Sequence, residues 1–392
     1  MKTSYMDNPL YEDDRHHSGA DGFVKASGNG HGVAQGTCRP FRLSSTYVIM
    51  PRFLFRLDVS PTVGTGHLRR CLTLAGELTE CASEVFFLCR SEAFDVSEYI
   101  TPIVKDWVAC DWSLTPEEDA RELIRYCRTN RIDSVIIDHY RADQTYQKIL
   151  YESGIRWLQF DGAARYPIWA DWVLNMSPAA SEELYKKLKP RKDTRFLLGP
   201  RYALLRKEFQ QQRFRMKKSG PVKRILLTFG GGDDRGAMLF CLEAIQFLGE
   251  DVERVVLLSS MNPRKEDIFT WCREGRDNVR IVMDAEETVP YMTSADLAIT
   301  AGGMTVFEMA ALGIPVLILQ IAGNQVPITR AWQQCGYGVD LGHLDQLHQE
   351  NVQQEMISLM LDAERRQAMS TAGQTIVDGE GARRVARALL SL

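Results

Sequence analysis

Phe53-Leu54-Phe55-Arg56-Leu57 runs directly into Asp58-Val59-Ser60-Pro61-Thr62-Val63-Gly64-Thr65-Gly66-His67-Leu68-Arg69-Arg70. The first segment is a short apolar run bounded by turn formers, the pattern of a strand buried in a parallel sheet. Gly64 and Gly66 permit tight backbone geometry and close approach of a ligand. Beyond them, Leu68, Cys71, Leu72, Leu74, Ala75 and Leu78 recur at helical spacing. Strand, glycine loop and helix together open an α/β fold, and the free N–H groups at the helix start are placed to receive an anion. Arg69 stands where a dinucleotide fingerprint carries its last glycine, so that fingerprint is not met.

Outward from this unit the same rhythm continues. Strands are expected at Glu84–Leu88, Ser134–Asp138, Arg156–Phe160 and Trp172–Asn175, with helices at Pro116–Arg128 and Tyr146–Ser153. Residues 210–221 are polar and basic and end in Gly220-Pro221, which reads as a linker. Strands then resume at Arg224–Phe229, Arg254–Ser259, Arg280–Met283, Asp296–Thr300 and Pro315–Leu319. Strands alternating with helices, twice over, predict an α/β architecture of two doubly wound Rossmann-like domains, 50–209 and 222–392, facing a cleft. A last helix from about Gly381 is free, on the sequence, to pack on either.

Residues 1–49 are rich in Gly, Ser, His and Asp and are expected to be a disordered extension, since they bury too little to offset their ordering entropy. His16, His17 and His31 belong to that polar tail and are not read as a metal site. Met50 directly precedes the first strand, so a start there is a second expectation.

The chain of 392 residues, 45% hydrophobic and 25% charged, is long enough for two ordinary cores. A net charge of −4 gives no case for nucleic acid as a partner. Nine cysteines at irregular spacing form no C-x-x-C pair and suggest reduced thiols, neither a disulfide framework nor a zinc site. No apolar run approaches the roughly 18–20 residues of a membrane span. With no secretory core at the N-terminus, the expected location is the cytoplasm.

Ligands of open α/β sheets lie beyond the carboxyl ends of the strands, and four turns there carry chemistry. In the first, His67 reads either as a general base near neutral pH or as a histidine bonding a neighbouring carbonyl. In the second, Asp138-His139-Tyr140 ends a strand; Asp138 reads as a cleft residue, while His139 reads better as bonded to backbone. In the third, Gly230-Gly231-Gly232 either admits a ligand or makes an ordinary tight turn. The fourth, Ala301-Gly302-Gly303-Met304-Thr305, opens a helix whose start suits a diphosphate. Glu308 lies about one turn in, placed either to bond both hydroxyls of a ribose or to sit on the surface, favoured by the helix dipole. Asn324-Gln325 follows the next strand and suits sugar hydroxyls or amides.

Taken in order, Asp58 to Arg70, Asp138-His139-Tyr140, Gly199-Pro200-Arg201-Tyr202-Ala203-Leu204-Leu205-Arg206, and Ala301 to Thr305 with Glu308 and Asn324-Gln325 resemble one family. It is the UDP-2,4-diacetamido-2,4,6-trideoxy-β-L-altropyranose hydrolase family of pseudaminic acid biosynthesis, with the related spore-coat polysaccharide proteins. The C-terminal block is similar to MurG-like glycosyltransferases as well. The resemblance implies a GT-B fold, a UDP-sugar as the small-molecule partner, and a reaction without metal or cofactor. In it water attacks the anomeric carbon, UDP leaves and the configuration inverts. His67 is then the residue that activates water. Asp58, Gly64, Gly66, Arg70, Asp138, Tyr140, Asn175, Gly230 and Gly231 would line the substrate site. Gly302, Gly303, Met304 and Thr305 would meet the phosphates, Glu308 the ribose, and Asn324 and Gln325 the sugar. Many relatives carry paired aspartates where Phe160-Asp161 stands, and a small polar residue where Met304 stands, so the sugar itself is left open. A glycosyltransferase on the same donor site, a non-catalytic nucleotide-sugar sensor, and an epimerase are the competing readings.

Overall fold

The computed structural model describes residues 11–12, 50–60, 65–91, 95–111, 113–162, 164–188, 191–213, 220–273 and 278–391. The expected disordered extension and the histidines within it fall outside these residues, as does Gly64. Of the extension only Tyr11–Glu12 is described, a two-residue strand β1 paired in parallel with Ile281 and Val282.

The first sheet holds β2 (Arg52–Val59), β3 (Glu84–Ser91), β4 (Asp106–Ala109), β5 (Ser134–Asp138), β6 (Trp157–Phe160), β7 (Trp172–Asn175) and β8 (Arg195–Leu198). They run parallel in the order β4-β3-β2-β5-β6-β7-β8. The second sheet holds β9 (Arg224–Thr228), β10 (Glu253–Leu258), β11 (Val279–Met283), β12 (Leu297–Ala301), β13 (Val316–Gln320) and β14 (Val339–His343), in the order β1-β11-β10-β9-β12-β13-β14. Both are parallel and wound outward from a central strand, β2 in one and β9 in the other. The two domains are Rossmann-like, each with one place where the strand order reverses: between β2 and β5, and between β9 and β12. Such a reversal opens a crevice at the strand ends, because successive helices leave to opposite faces.

Central strands are buried on both faces, which is why they read as continuous apolar runs; Leu54, Phe55, Leu57, Leu226, Leu227 and Ile299 are wholly inaccessible. The Gly66–Glu80 helix buries Leu68, Cys71, Leu74, Ala75 and Leu78 of the stripe expected from its spacing, and leaves Leu72 half-buried. The Pro116–Asn130 helix starts in a capping box, Thr115 with Glu118, and buries Asp119, Ala120, Leu123, Ile124 and Cys127.

The last helix, Gly381–Leu390, packs against the Gly66–Glu80 helix of the first domain. Val385, Ala386 and Leu389 join Leu74 and Leu78 in one apolar cluster. Gly381 makes the approach possible, since a Cβ there would stand 2.2 Å from the Ala203 carbonyl oxygen. The expected linker 210–221 begins inside a short helix, Lys207–Gln212, and its residues 214–219 lie outside the described ones.

Candidate functional site

The four turns singled out in the sequence end β2, β5, β9 and β12, the strands flanking the two reversal points. Across the cleft, the segments that follow β2 and β9 come close to each other. A Cβ on Gly231, after β9, would stand 3.3 Å from Oγ1 of Thr65, in the turn after β2.

His67 occupies the first turn of the Gly66–Glu80 helix and is 5% exposed. Its Nδ1 lies 2.9 Å from the backbone carbonyl oxygen of Asp138 and 3.4 Å from that residue's Oδ1. A carbonyl only accepts, so Nδ1 carries the hydrogen and Nε2 keeps a lone pair. Burial pushes the imidazole below its ordinary value; Asp138 pulls it back up, and Arg70 pushes it down again. The ring is therefore neutral at neutral pH, with Nε2 ready to accept a proton. The ring of Tyr140, 69% exposed at the cleft rim, lies 5.0 Å from it, centroid to centroid.

Beneath His67 lies a layer of charge. Arg70 grips Asp138 with two parallel bonds, Nε to Oδ2 at 2.5 Å and Nη2 to Oδ1. The guanidinium lies 4.8 Å from the centroid of the Phe160 ring. Burial would neutralise Asp138, but Arg70 and His67 hold its carboxyl below the usual carboxylate range. Deeper still, Arg56 donates to both carboxylate oxygens of Asp119, at 3.0 and 2.8 Å, and to Asp58 at 2.6 Å. Arg90 adds a bond to Asp119 at 3.1 Å. This cluster of Arg56, Arg90, Asp58 and Asp119 is almost wholly removed from water.

The expected first-domain residues thus divide by burial. Tyr140 is open to the cleft, and His67, though buried, keeps Nε2 unspent. Asp58 and Asp138 are spent on internal arginines. Asn175 donates to the Tyr185 hydroxyl at 2.8 Å and accepts from the Ser177 N–H at 3.0 Å, so its amide is engaged inside the domain. His139 does not bond backbone as expected: it is buried edge-on against Tyr146, 5.1 Å between centroids, with neither ring nitrogen hydrogen-bonded. Arg56, Arg90 and Asp119 were not among the sequence-derived candidates.

In the second domain, Gly230 adopts a left-handed φ of 92°, as its loop after β9 requires. Asp234 caps the helix that follows, accepting from the N–H groups of Gly236 and Met238, and is a further polar group that the sequence reading missed. Gly302 is fixed by its neighbours: a Cβ would meet Oγ1 of Thr329 at 2.6 Å and Cβ of Gln325 at 3.2 Å. Gly303 begins the Met304–Leu312 helix with no side-chain cap, leaving the first-turn N–H groups of Met304 and Thr305 for an anion. Glu308 is half-buried on that helix and faces Arg206 and Arg69. Burial pushes its carboxyl above the ordinary value, and the two arginines pull against that shift. The Gln325 side chain accepts from the Ile321 N–H at 2.9 Å, whereas Asn324 is exposed. Among the described residues no group of His, Cys, Asp and Glu is arranged to hold a metal ion, and no helix is long and apolar enough to cross a membrane.

Among solved structures, Acinetobacter baumannii MurG superposes with a TM-score of 0.62 at 15% identity, over 87% of this chain and 100% of that one. The fold is GT-B. A co-structure of Staphylococcus aureus MnaA with UDP gives the same TM-score at 12% identity, over 87% of this chain and 96% of that one. At these identities the likeness carries the fold alone.

No family model matches the chain. In sequence it is 26% identical over 337 residues to the spore coat polysaccharide biosynthesis protein SpsG of Bacillus subtilis, across 84% of this chain and 95% of that protein. It is 26% identical over 293 residues to the UDP-2,4-diacetamido-2,4,6-trideoxy-beta-L-altropyranose hydrolase of Campylobacter jejuni, across 74% of this chain and 98% of that one. An uncharacterized protein of Methanocaldococcus jannaschii is 27% identical over 272 residues, and the chain spans only 54% of its length. The resemblance read from the ordered motifs rests on the Bacillus and Campylobacter relatives.

Proposed function

We propose that the protein is a cytoplasmic UDP-sugar hydrolase of surface-polysaccharide or nonulosonic acid biosynthesis. Its substrate is a UDP-linked 2,4-diacetamido-2,4,6-trideoxy hexose, and UDP is released with inversion at the anomeric carbon. The observation that carries this reading is the meeting of Thr65 and Gly231. A buried neutral imidazole beside Thr65 and an uncapped helix start in the other domain support it.

In the reaction, a water donates its proton to Nε2 of His67 as its oxygen bonds the anomeric carbon. The bond from that carbon to the diphosphate oxygen breaks, and the electron pair leaves with UDP. N–H groups at the start of the Met304–Leu312 helix stabilise the departing charge. Glu308 accepts the ribose hydroxyls, and Asn324 reaches the sugar. The proton on His67 then passes to solvent.

The test is a panel of UDP-sugars incubated with the protein in water alone, with UDP release followed. Release without any acceptor is the expected result. Release only when an acceptor is added would make the protein a transferase. Binding with no turnover would make it a sensor, and a changed sugar still joined to UDP would make it an epimerase. The nucleotide half has its own check. Glu308→Ala should weaken UDP binding by roughly ten- to a hundredfold in calorimetry, the equivalent of about 1.5–3 kcal/mol for bonds to a charged acceptor. An unchanged affinity would remove Glu308 from the ribose site.

A further inference from the structure

Arg70 is a candidate substrate contact from its place in the motif, yet its guanidinium is committed elsewhere. Nε and Nη2 both reach the Asp138 carboxylate, and the guanidinium carbon lies 4.8 Å from the centroid of the Phe160 ring. The same carboxylate faces His67, with Oδ1 3.4 Å from Nδ1, and takes the Cys71 thiol at 3.6 Å. His67 nevertheless makes its closer contact, 2.9 Å, with the backbone carbonyl of Asp138.

We propose that Arg70 is a positioning residue for His67: its guanidinium, seated over the Phe160 ring, grips the Asp138 carboxylate and keeps it from drawing a second proton onto the imidazole. The physical argument is one of competition. A carboxylate beside an imidazole favours the imidazolium, by Coulomb attraction and by a charged hydrogen bond at Nδ1. A guanidinium bonded to the same carboxylate offsets its charge and fixes its rotamer, so Oδ1 does not close on Nδ1. The imidazole then donates to a neutral carbonyl. Its tautomer is set without the proton affinity that a free aspartate would add. The charged and titratable groups facing His67 are Asp138, Arg70 and Asp58, with Tyr140 over the ring and Cys71 one turn along the helix. Of the three charged groups, only Arg70 acts to disfavour the imidazolium. Any consequence for turnover rests on the proposed hydrolase reading; the proton affinity of His67 does not.

The experiment is a pH titration of the His67 ring in the whole protein labelled with 15N-histidine, followed by NMR, for the wild type and four variants. In Arg70→Met the freed carboxylate should move the His67 midpoint to higher pH. In Asp138→Asn it should move to lower pH. In Arg70→Lys, which keeps a cation beside the carboxylate, it should stay near the wild type. A midpoint that stays put or falls in Arg70→Met overturns the proposal. Should that variant fail to fold, Arg70→Gln decides by the same sign, because it keeps one donor to Asp138 and loses the charge. The acid limb of kcat/KM should follow the NMR midpoint upward in the same variant, since less neutral imidazole is present at any given pH. A raised KM with the midpoint unmoved would return Arg70 to the role of a ligand for the substrate. An NMR shift with no matching shift in the activity limb would sink His67 as the base and leave the Arg70 proposal standing.

Discussion

His67→Ala should cut turnover of the UDP-sugar sharply and leave the affinity for UDP unchanged. Proton abstraction by a positioned side chain contributes about 10²–10⁴-fold, so kcat should fall by at least about a hundredfold. The geometry explains why binding should survive. Nδ1 is tied to a backbone carbonyl of its own domain, and the first-turn N–H groups proposed to meet the diphosphate belong to the Met304–Leu312 helix of the other. In the wild type the acid limb of activity should lie below the ordinary histidine value of 6.5, because burial lowers the imidazole's proton affinity more than Asp138 restores it. Stopped assays across pH 4–8, with calorimetry of UDP on the variant, check both points. Full activity in the alanine variant would hand the base role to another group, and a lost UDP affinity would mean that His67 holds the nucleotide instead.

How far the sequence reached can be judged strand by strand. Central strands such as Ser134–Asp138 and Val316–Gln320 are buried at every position, so an apolar run announces them. The edge strands Asp106–Ala109, Arg195–Leu198 and Val339–His343 escaped the reading. Their positions are mostly exposed or half-buried, which leaves neither an apolar run nor a clean alternation. Among the turn glycines, geometry demands the residue at Gly230, by its left-handed φ, and at Gly302, by the closeness of Thr329. What local patterns could not show is which polar side chains turn inward. Asp58 and Asn175 look, as letters, like cleft residues, and only tertiary packing spends them on Arg56 and Tyr185. One signal was available: Asp119 lies four residues before Leu123 and eight before Cys127, on the apolar stripe of its helix. A carboxylate on a buried stripe calls for a buried cation, and Arg56 in mid-strand supplies it.

Arg56→Met should cost the first domain about 3–5 kcal/mol, because it leaves buried carboxylates short of their counter-charge. Arg56 is inaccessible to solvent and donates to Asp119 twice, to Asp58 and to the Leu57 carbonyl. Burial opposes its charge, yet Asp58 and Asp119 more than offset that and keep it protonated. In the variant, Arg90 retains one bond to Asp119 at 3.1 Å but stands 3.9 Å from Asp58. Asp58 stands near the carboxyl end of β2, the strand that precedes Thr65 and His67, so the loss should reach the site as well as the core. Denaturant unfolding, read by probes specific to each domain, should show an early transition in the first domain and an unmoved one in the second. Combining Arg56→Met with Asp119→Leu should recover much of the stability, since a buried pair replaced on both sides by apolar groups often costs little, whereas half a pair costs the most. If the single variant unfolds with the wild type, the cluster is not what holds the floor of the cleft. If the double variant is no better than the single, the loss lies in the packing of Arg56 and not in its charge.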